Sequence, residues 1–188
     1  MRMKLISLTA ALVLGTGVAA CGEDDESASG GSGAATTEEA TPAPTEAPAE
    51  APAADVDALV EGTSKDTSTK PEIPAPSGEP PAELVVEDVK PGKGRKAKAG
   101  DTLTMQYVGI LWSTGEQFDA SWDAGQAFPF QLGAGMVIPG WDQGMVGMQK
   151  GGRRLLAIPP DMAYGPSGSG PIGPNETLVF VVDLVDIG

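Results

Sequence analysis

The side chains in this sequence best suited to shaping a binding site are its aromatic rings, and they are unevenly placed. Tyr107, Trp112, Phe118, Trp122, Phe128, Phe130, Trp141, Tyr164 and Phe180 are all of them, and none precedes position 107. An apolar core, or a cavity walled by rings, must therefore lie in the C-terminal half. The chain has no histidine and a single cysteine, Cys21. Ser-His-Asp and Cys-His nucleophilic catalysis are excluded, and a zinc site lacks its usual ligands. What remains is chemistry done by ring surface and hydrogen bonds, with no metal and no cofactor expected.

Those rings need a scaffold, and the apolar patterning predicts one. Leu84 to Val89 and Thr102 to Leu111 read as strands, separated by the turn signal Pro91-Gly92-Lys93-Gly94. The chain turns at Ser113 to Glu116 and resumes as a strand through Gln117-Phe118-Asp119. Phe128 to Leu132 is a further strand, which Pro129 marks as an edge or irregular one. Trp141, Met145 and Met148 recur at four and then three, the spacing of a helix over 141–148. Arg153 to Pro159 and Thr177 to Ile187 are strands again. The expected fold is α+β: an antiparallel five- to six-stranded sheet wrapped around one short helix and preceded by a disordered tail.

The charge of the chain belongs mostly to that tail. Of a net −14, residues 22–81 carry 14 acids against 2 bases, while residues 82–188 carry 12 against 8. Such acidity excludes nucleic acid as a partner. Residues 22–81 contain no aromatic residue and repeat Ala, Pro, Glu and Thr, a composition read as a linker unable to bury enough apolar surface to fold. As a coil it would span roughly 40–45 Å, serving as a spacer or, through its proline motifs, as a recognition segment. At the N-terminus, Arg2 and Lys4 precede the apolar stretch Leu5 to Ala20. This reads as a signal peptide over 1–20, too short to span a membrane. Val18-Ala19-Ala20-Cys21 resembles a bacterial lipobox, which implies cleavage before Cys21 and lipidation of its sulfur; the alternative is an ordinary secretory signal. Each buried lipid methylene contributes about 0.8 kcal/mol, so two or three chains anchor firmly. The expected organisation is 1–20 signal, 21–81 lipidated cysteine and linker, and 82–188 folded domain. The expected location is extracytoplasmic, held at the cell membrane by lipid or, failing that, secreted.

Within 82–188 the motifs gather into an ordered set. They are Tyr107-Val108-Gly109, Gly115 to Asp119, Phe128 to Gly133, Val137 to Trp141 with Gly144-Met145, Met148 to Arg153, Ile158 to Gly165, and Ile172 to Phe180. In this order and spacing the segment resembles the FKBP-type peptidyl-prolyl cis/trans isomerases. The resemblance covers essentially all of 82–188 and none of 1–81. It implies a pocket with Trp141 as its floor and Tyr107, Phe118, Phe128 and Phe180 as its walls. Val137 and Ile138 would lie along one edge, Ile172 would come from a loop over the mouth, and Asp119 and Tyr164 would be polar groups at the rim. Asp119, Tyr164, Trp141 and Phe180 would be catalytic and the others substrate-binding, with the Ile138 backbone N–H donating to a substrate carbonyl. The implied partners are unfolded or proline-containing polypeptides and, as inhibitors, macrolides.

The chemistry suits those residue types. Rotation about a peptide bond must break amide resonance, against a barrier of about 18–20 kcal/mol. The planar amide is more charge-separated than the twisted one, so a dry apolar cup favours the twisted form. Fixed hydrogen bonds can hold the flanking carbonyls where that form needs them. Taken singly, Trp141, Phe128 or Phe130 would read as core, Asp119 could be a turn residue and Tyr164 a surface tyrosine; the ordered set favours the site. Some positions depart from the family pattern: Met162 replaces a common aromatic, Gly173-Pro174 replaces a Pro-Pro pair, and Gly165 to Pro171 has no aromatic. No insertion supplies the chaperone flap of some relatives. Two rivals to the isomerase remain: a proline-peptide-binding or chaperone module with little turnover, and a passive head on a surface spacer.

Overall fold

The computed structural model describes residues 54–188; the signal over 1–20, Cys21 and the linker up to residue 53 lie outside the described residues. Six strands, β1 (Val85–Lys90), β2 (Thr102–Leu111), β3 (Gln117–Ala120), β4 (Phe128–Gln131), β5 (Arg153–Ile158) and β6 (Leu178–Ile187), form one antiparallel sheet. Its order is β1-β5-β6-β2-β3, and β4 also pairs with β2. β6 runs along one edge of β2 over residues 103–111 of the latter. On the other edge β4 occupies 102–105 and β3 occupies 108–110, one after the other. Pro129 lies opposite Thr104 in that edge strand, where a missing N–H costs no ladder bond.

Alternation along the strands divides their side chains between two cores. Leu103, Met105, Leu156, Ile158, Leu178, Phe180, Val182 and Leu184 face one core, together with Phe130, Leu132, Trp141, Met145 and Met148. Val89, Val108, Ile110, Leu155, Ala157, Val179 and Val181 face the other. β5 and most of β6 are thus buried on both faces, which is why their sequences run as nearly continuous apolar stretches.

The first core is closed by α3 (Pro139–Gly144). The helix is shorter than the 141–148 predicted: it ends at Gly144, and Gly147 follows with φ +81°. Met145 and Met148 are still buried, but from the turn after the helix. Gly140 and Gly144 face β5 so closely that a Cβ would lie 2.4 Å from Ile158 Cγ2 at one and 2.7 Å from Leu156 Cδ2 at the other. Two further short helices, α1 (Val56–Gly62) and α2 (Ser121–Ala124), were not expected from the sequence.

α1 corrects the domain boundary. The linker reading ran to residue 81, yet residues 54–81 pack on the second core, with Val56 and Leu59 buried and Ala54, Val60 and Ile73 against them. The Asp55 carboxylate accepts from the Ala58 N–H at 3.0 Å and caps the helix. The segment is also held by hydrogen bonds. Arg153 is fully buried and donates to both oxygens of Asp183, from Nε at 2.6 Å and Nη2 at 2.7 Å. It also donates to the carbonyls of Ser64 (2.6 Å) and Thr69 (2.9 Å). Burial raises the Asp183 carboxyl above the usual carboxylate range, with the guanidinium opposing. Lys70 reaches Asp123 on α2 at 2.6 Å, and the Trp112 indole donates to the Gly78 carbonyl at 3.3 Å. Apolar composition is low over this stretch, but a ready-made apolar sheet face needs only a few side chains to cover it. Among the described residues no helix is long and apolar enough to cross a membrane.

Truncating the most buried of those side chains tests this docking. Leu59→Ala is expected to lower unfolding stability by about 2–4 kcal/mol in urea titration, the ordinary cost of a leucine-sized core cavity. A change under about 0.5 kcal/mol, typical of exposed positions, would mean that the segment is not part of the fold.

Candidate functional site

The edge of the sheet where β2 meets β3 and β6 sets the site's geometry. Gly109 on β2 stands opposite Asp119 on β3 and opposite Phe180 on β6. The space that a side chain at 109 would take is filled by rings: a Cβ there would lie 2.6 Å from Phe118 Cζ and 2.8 Å from Phe180 Cε1. Phe118 and Phe180 meet edge to face, centroids 5.4 Å apart with planes at 90°. Two residues along β2, Tyr107 meets Phe180 at 6.2 Å.

Trp141 stands among these rings. Its centroid lies 5.2 Å from Tyr107, 5.3 Å from Phe180 and 6.2 Å from Phe128, each pair near perpendicular, and 5.7 Å from Phe130. Edge-to-face pairs of this kind contribute about 0.5–1.5 kcal/mol each beyond their buried area. The Trp141 indole N–H is buried and meets no oxygen or nitrogen acceptor. The floor it forms is therefore ring surface throughout.

A loop brings the remaining wall. Ile138 is the extended residue before α3, and its carbonyl accepts from the N–H groups of Trp141 (2.9 Å) and Asp142 (3.3 Å). Pro139 at the first helical position has the backbone angle the helix start requires. The Asp142 carboxylate reaches back and accepts from Gly133 N–H and Gly135 N–H, both at 2.9 Å, which fixes the loop carrying Met136, Val137 and Ile138.

The result is a cavity of about 290 Å³ lined by Tyr107, Phe118, Asp119, Phe128, Met136, Val137, Ile138, Trp141, Tyr164 and Phe180. Nine of the ten residues named from the sequence for the pocket are brought together here. Ile172 is not: it is buried in the core beside the cavity, and its backbone pairs with Ser169. Phe130, left to packing, is core and stacks on Phe128 at 6.0 Å. Met136 went unnoticed in the sequence, although it directly precedes Val137-Ile138. The Asp142 clamp was also missed; its signal is an acid in the first helical turn after a Gly-x-Gly loop.

Polar groups sit at the edge of the cavity. The Tyr107 hydroxyl donates to Asp119 Oδ2 at 2.6 Å, and the Tyr107 N–H donates to Ser121 Oγ at 2.8 Å. Burial, then the hydrogen bond and charge of Asp119, raise the Tyr107 phenol far above the ordinary tyrosine value. Tyr107 is thus a neutral donor that holds the Asp119 carboxylate in place. Such a cavity can desolvate a small apolar ring and offer hydrogen bonds at its rim.

Comparison with known proteins agrees with this geometry. The sequence model of the FKBP-type peptidyl-prolyl cis-trans isomerases matches residues 93–185. A FK506-binding protein of Streptomyces anulatus is 56% identical over 120 residues, which cover 63% of this chain and 97% of the relative. The chain belongs to the FKBP-type peptidyl-prolyl cis-trans isomerase family. A probable FK506-binding protein of Corynebacterium glutamicum is 47% identical over 116 residues, 62% of this FKBP-type chain and 97% of that protein. Among solved structures, the crystal structure of AtFKBP13 matches with a TM-score of 0.54 at 36% identity, covering 58% of this chain and 96% of that one.

The raised phenol has a spectroscopic consequence. Followed at 295 nm, Tyr107 is expected to stay protonated a full unit above the ordinary tyrosine value of about 10. Tyr107→Phe then leaves the phenolate signal at that pH unchanged in the folded protein. A halved signal would show that Tyr107 ionises normally. The linked stability is intact below about pH 10, where the unfolded chain's tyrosine is also neutral, and is lost as pH rises toward the folded value.

Proposed function

We propose that this FKBP-type isomerase acts on exported, unfolded chains from the outer side of a membrane, tethered by lipid on Cys21. In this reading Trp141 and Phe180 receive the proline ring, Phe118, Phe128 and Tyr107 exclude water from it, and Asp119 and Tyr164 orient the amide as it twists. The Ile138 N–H, which no acceptor among the described residues takes up, donates to a substrate carbonyl. A macrolide of the kind named for the relatives would compete for the same cavity.

The observation that carries the site assignment is the assembly of Trp141, Phe180, Phe118, Phe128 and Tyr107, from four strands and a helix, around one open cavity with Asp119 and Tyr164 at its edge. A core needs no such opening, and Phe128 and Tyr164, each 40% exposed, would not be placed there for packing alone. The tether is supported by the lipobox-like Val18 to Cys21 and by the absence of any other cysteine.

The purified chain is expected to accelerate isomerisation of short X–Pro peptides, with inhibition by a pocket-filling macrolide. Asp119→Ala, Trp141→Ala and Phe180→Ala should each lower kcat/KM by at least about tenfold, or 1.4 kcal/mol of transition-state stabilisation. Undiminished turnover in all three folded variants would sink the site assignment, and tight peptide binding without acceleration would favour the binding-module alternative. For the tether, the wild-type chain should partition with membranes and into detergent, and Cys21→Ala should be recovered in the soluble fraction. A soluble wild-type chain would leave a secreted protein.

A further inference from the structure

Methionines are distributed in this fold in a way that packing does not explain. Met105, Met145 and Met148 are fully buried in the first core, and Met162 is partly buried against it. Met136 is 70% exposed, the most exposed large apolar residue among those described, and it lines the cavity. The loop that carries it is fixed through Gly133 and Gly135 by the Asp142 carboxylate, so the backbone that presents Met136 is anchored at the edge of the site.

We infer that Met136 is an oxidation-sensitive contact of the site, through which peroxide lowers the domain's grip on its clients. The inference rests on the isomerase reading above and adds a control to the same cavity. The chemistry is a two-electron oxidation. The sulfur lone pair attacks one oxygen of hydrogen peroxide, an S–O bond forms as the O–O bond breaks, and the other oxygen leaves as water after proton transfer. The product sulfoxide is polar and chiral where the thioether was flexible and apolar. At a cavity rim made of Phe128, Tyr164, Val137 and Ile138, that change removes apolar contact area and adds an acceptor that must be desolvated when a client chain arrives. Accessibility protects the buried methionines and leaves the rim position open to attack, so damage begins at the site before it reaches the core.

The test compares each protein with itself before and after mild hydrogen peroxide, using wild type, Met136→Leu and Met162→Leu of the full chain. Peptide mapping locates the added oxygen. Two readouts follow the site: kcat/KM on an X–Pro peptide, and peptide binding followed by tryptophan fluorescence. Wild type and Met162→Leu are expected to take up oxygen at Met136 and to lose about three- to tenfold in both readouts, less than the ~10–200-fold that an enclosed methylene can be worth. Treatment with methionine sulfoxide reductases of both stereospecificities should restore them, which irreversible unfolding would not permit. The treated-to-untreated ratio of Met136→Leu should stay near one, whatever its starting activity. Oxidation at Met136 with unchanged readouts, a loss that persists in Met136→Leu, or oxidation at Met162 ahead of Met136 would each overturn the proposal. Failure of the isomerase reading would look different: no turnover in any untreated protein, with the binding readout still deciding the effect of oxidation.

Discussion

An indole ring has to be held upright at the bottom of an open cavity, and much of the molecule is arranged around that demand. Trp141 cannot be gripped by hydrogen bonds, since its N–H meets no acceptor. It is gripped instead by the edges and faces of Tyr107, Phe128, Phe130 and Phe180. Those rings come from three different strands, so the sheet must be in register before the floor exists. The helix beneath must lie close against β5, which is why Gly140 and Gly144 face Ile158 and Leu156 without side chains. On the sheet side Gly109 plays the same part, leaving room for Phe118 and Phe180. Site and core are therefore one packing problem.

The sheet's other face poses a separate problem. Val108, Ile110, Leu155, Ala157, Val179 and Val181 are apolar and cannot be left wet. Residues 54–81 cover them, and Arg153 joins the two layers. A buried guanidinium without partners would cost several kcal/mol; here both Asp183 oxygens and two main-chain carbonyls take up its donors. The ion pair alone would be weak evidence of stability. The two carbonyl bonds give it a structural purpose, because only a chain docked at 64–69 can offer them.

How much of this was legible beforehand depended on how local each signal is. β2 and β4 could be read from alternation and from Pro129, since one strand's pattern carries its own evidence. The cavity residues could be read because aromatic types at ordered spacings are rare enough to identify. Ile172 could not, since whether a loop residue turns toward a cavity or into the core depends on the loop's closure, and Gly173-Pro174 was the only hint. The spacing of Met145 and Met148 extends the helical pattern past the end of α3, which stops at Gly144, and Gly147 at φ +81° lies in the turn that follows. Residues 54–81 were assigned to the linker on composition. Yet Val56, Leu59 and Val60 stand at i, i+3 and i+4 behind a capping aspartate, a short amphipathic signal that the prolines around it obscured.

The docking of 54–81 also sets an order of events for a chain made from its N-terminus. The Ser64 and Thr69 carbonyls meet Arg153 across 89 and 84 residues of sequence. Asp183, which orients that arginine, lies in β6, and β6 sits between β5 and β2 in the sheet. The strand at the middle of the sheet is thus the last to be synthesised, and the first described segment has nothing to dock on until it arrives. Contacts this distant make folding slow relative to helical domains of similar size. A member of the peptidyl-prolyl isomerase family therefore passes through a long unfolded interval of its own, with the five X–Pro bonds between residues 70 and 81 exposed in solvent while it waits.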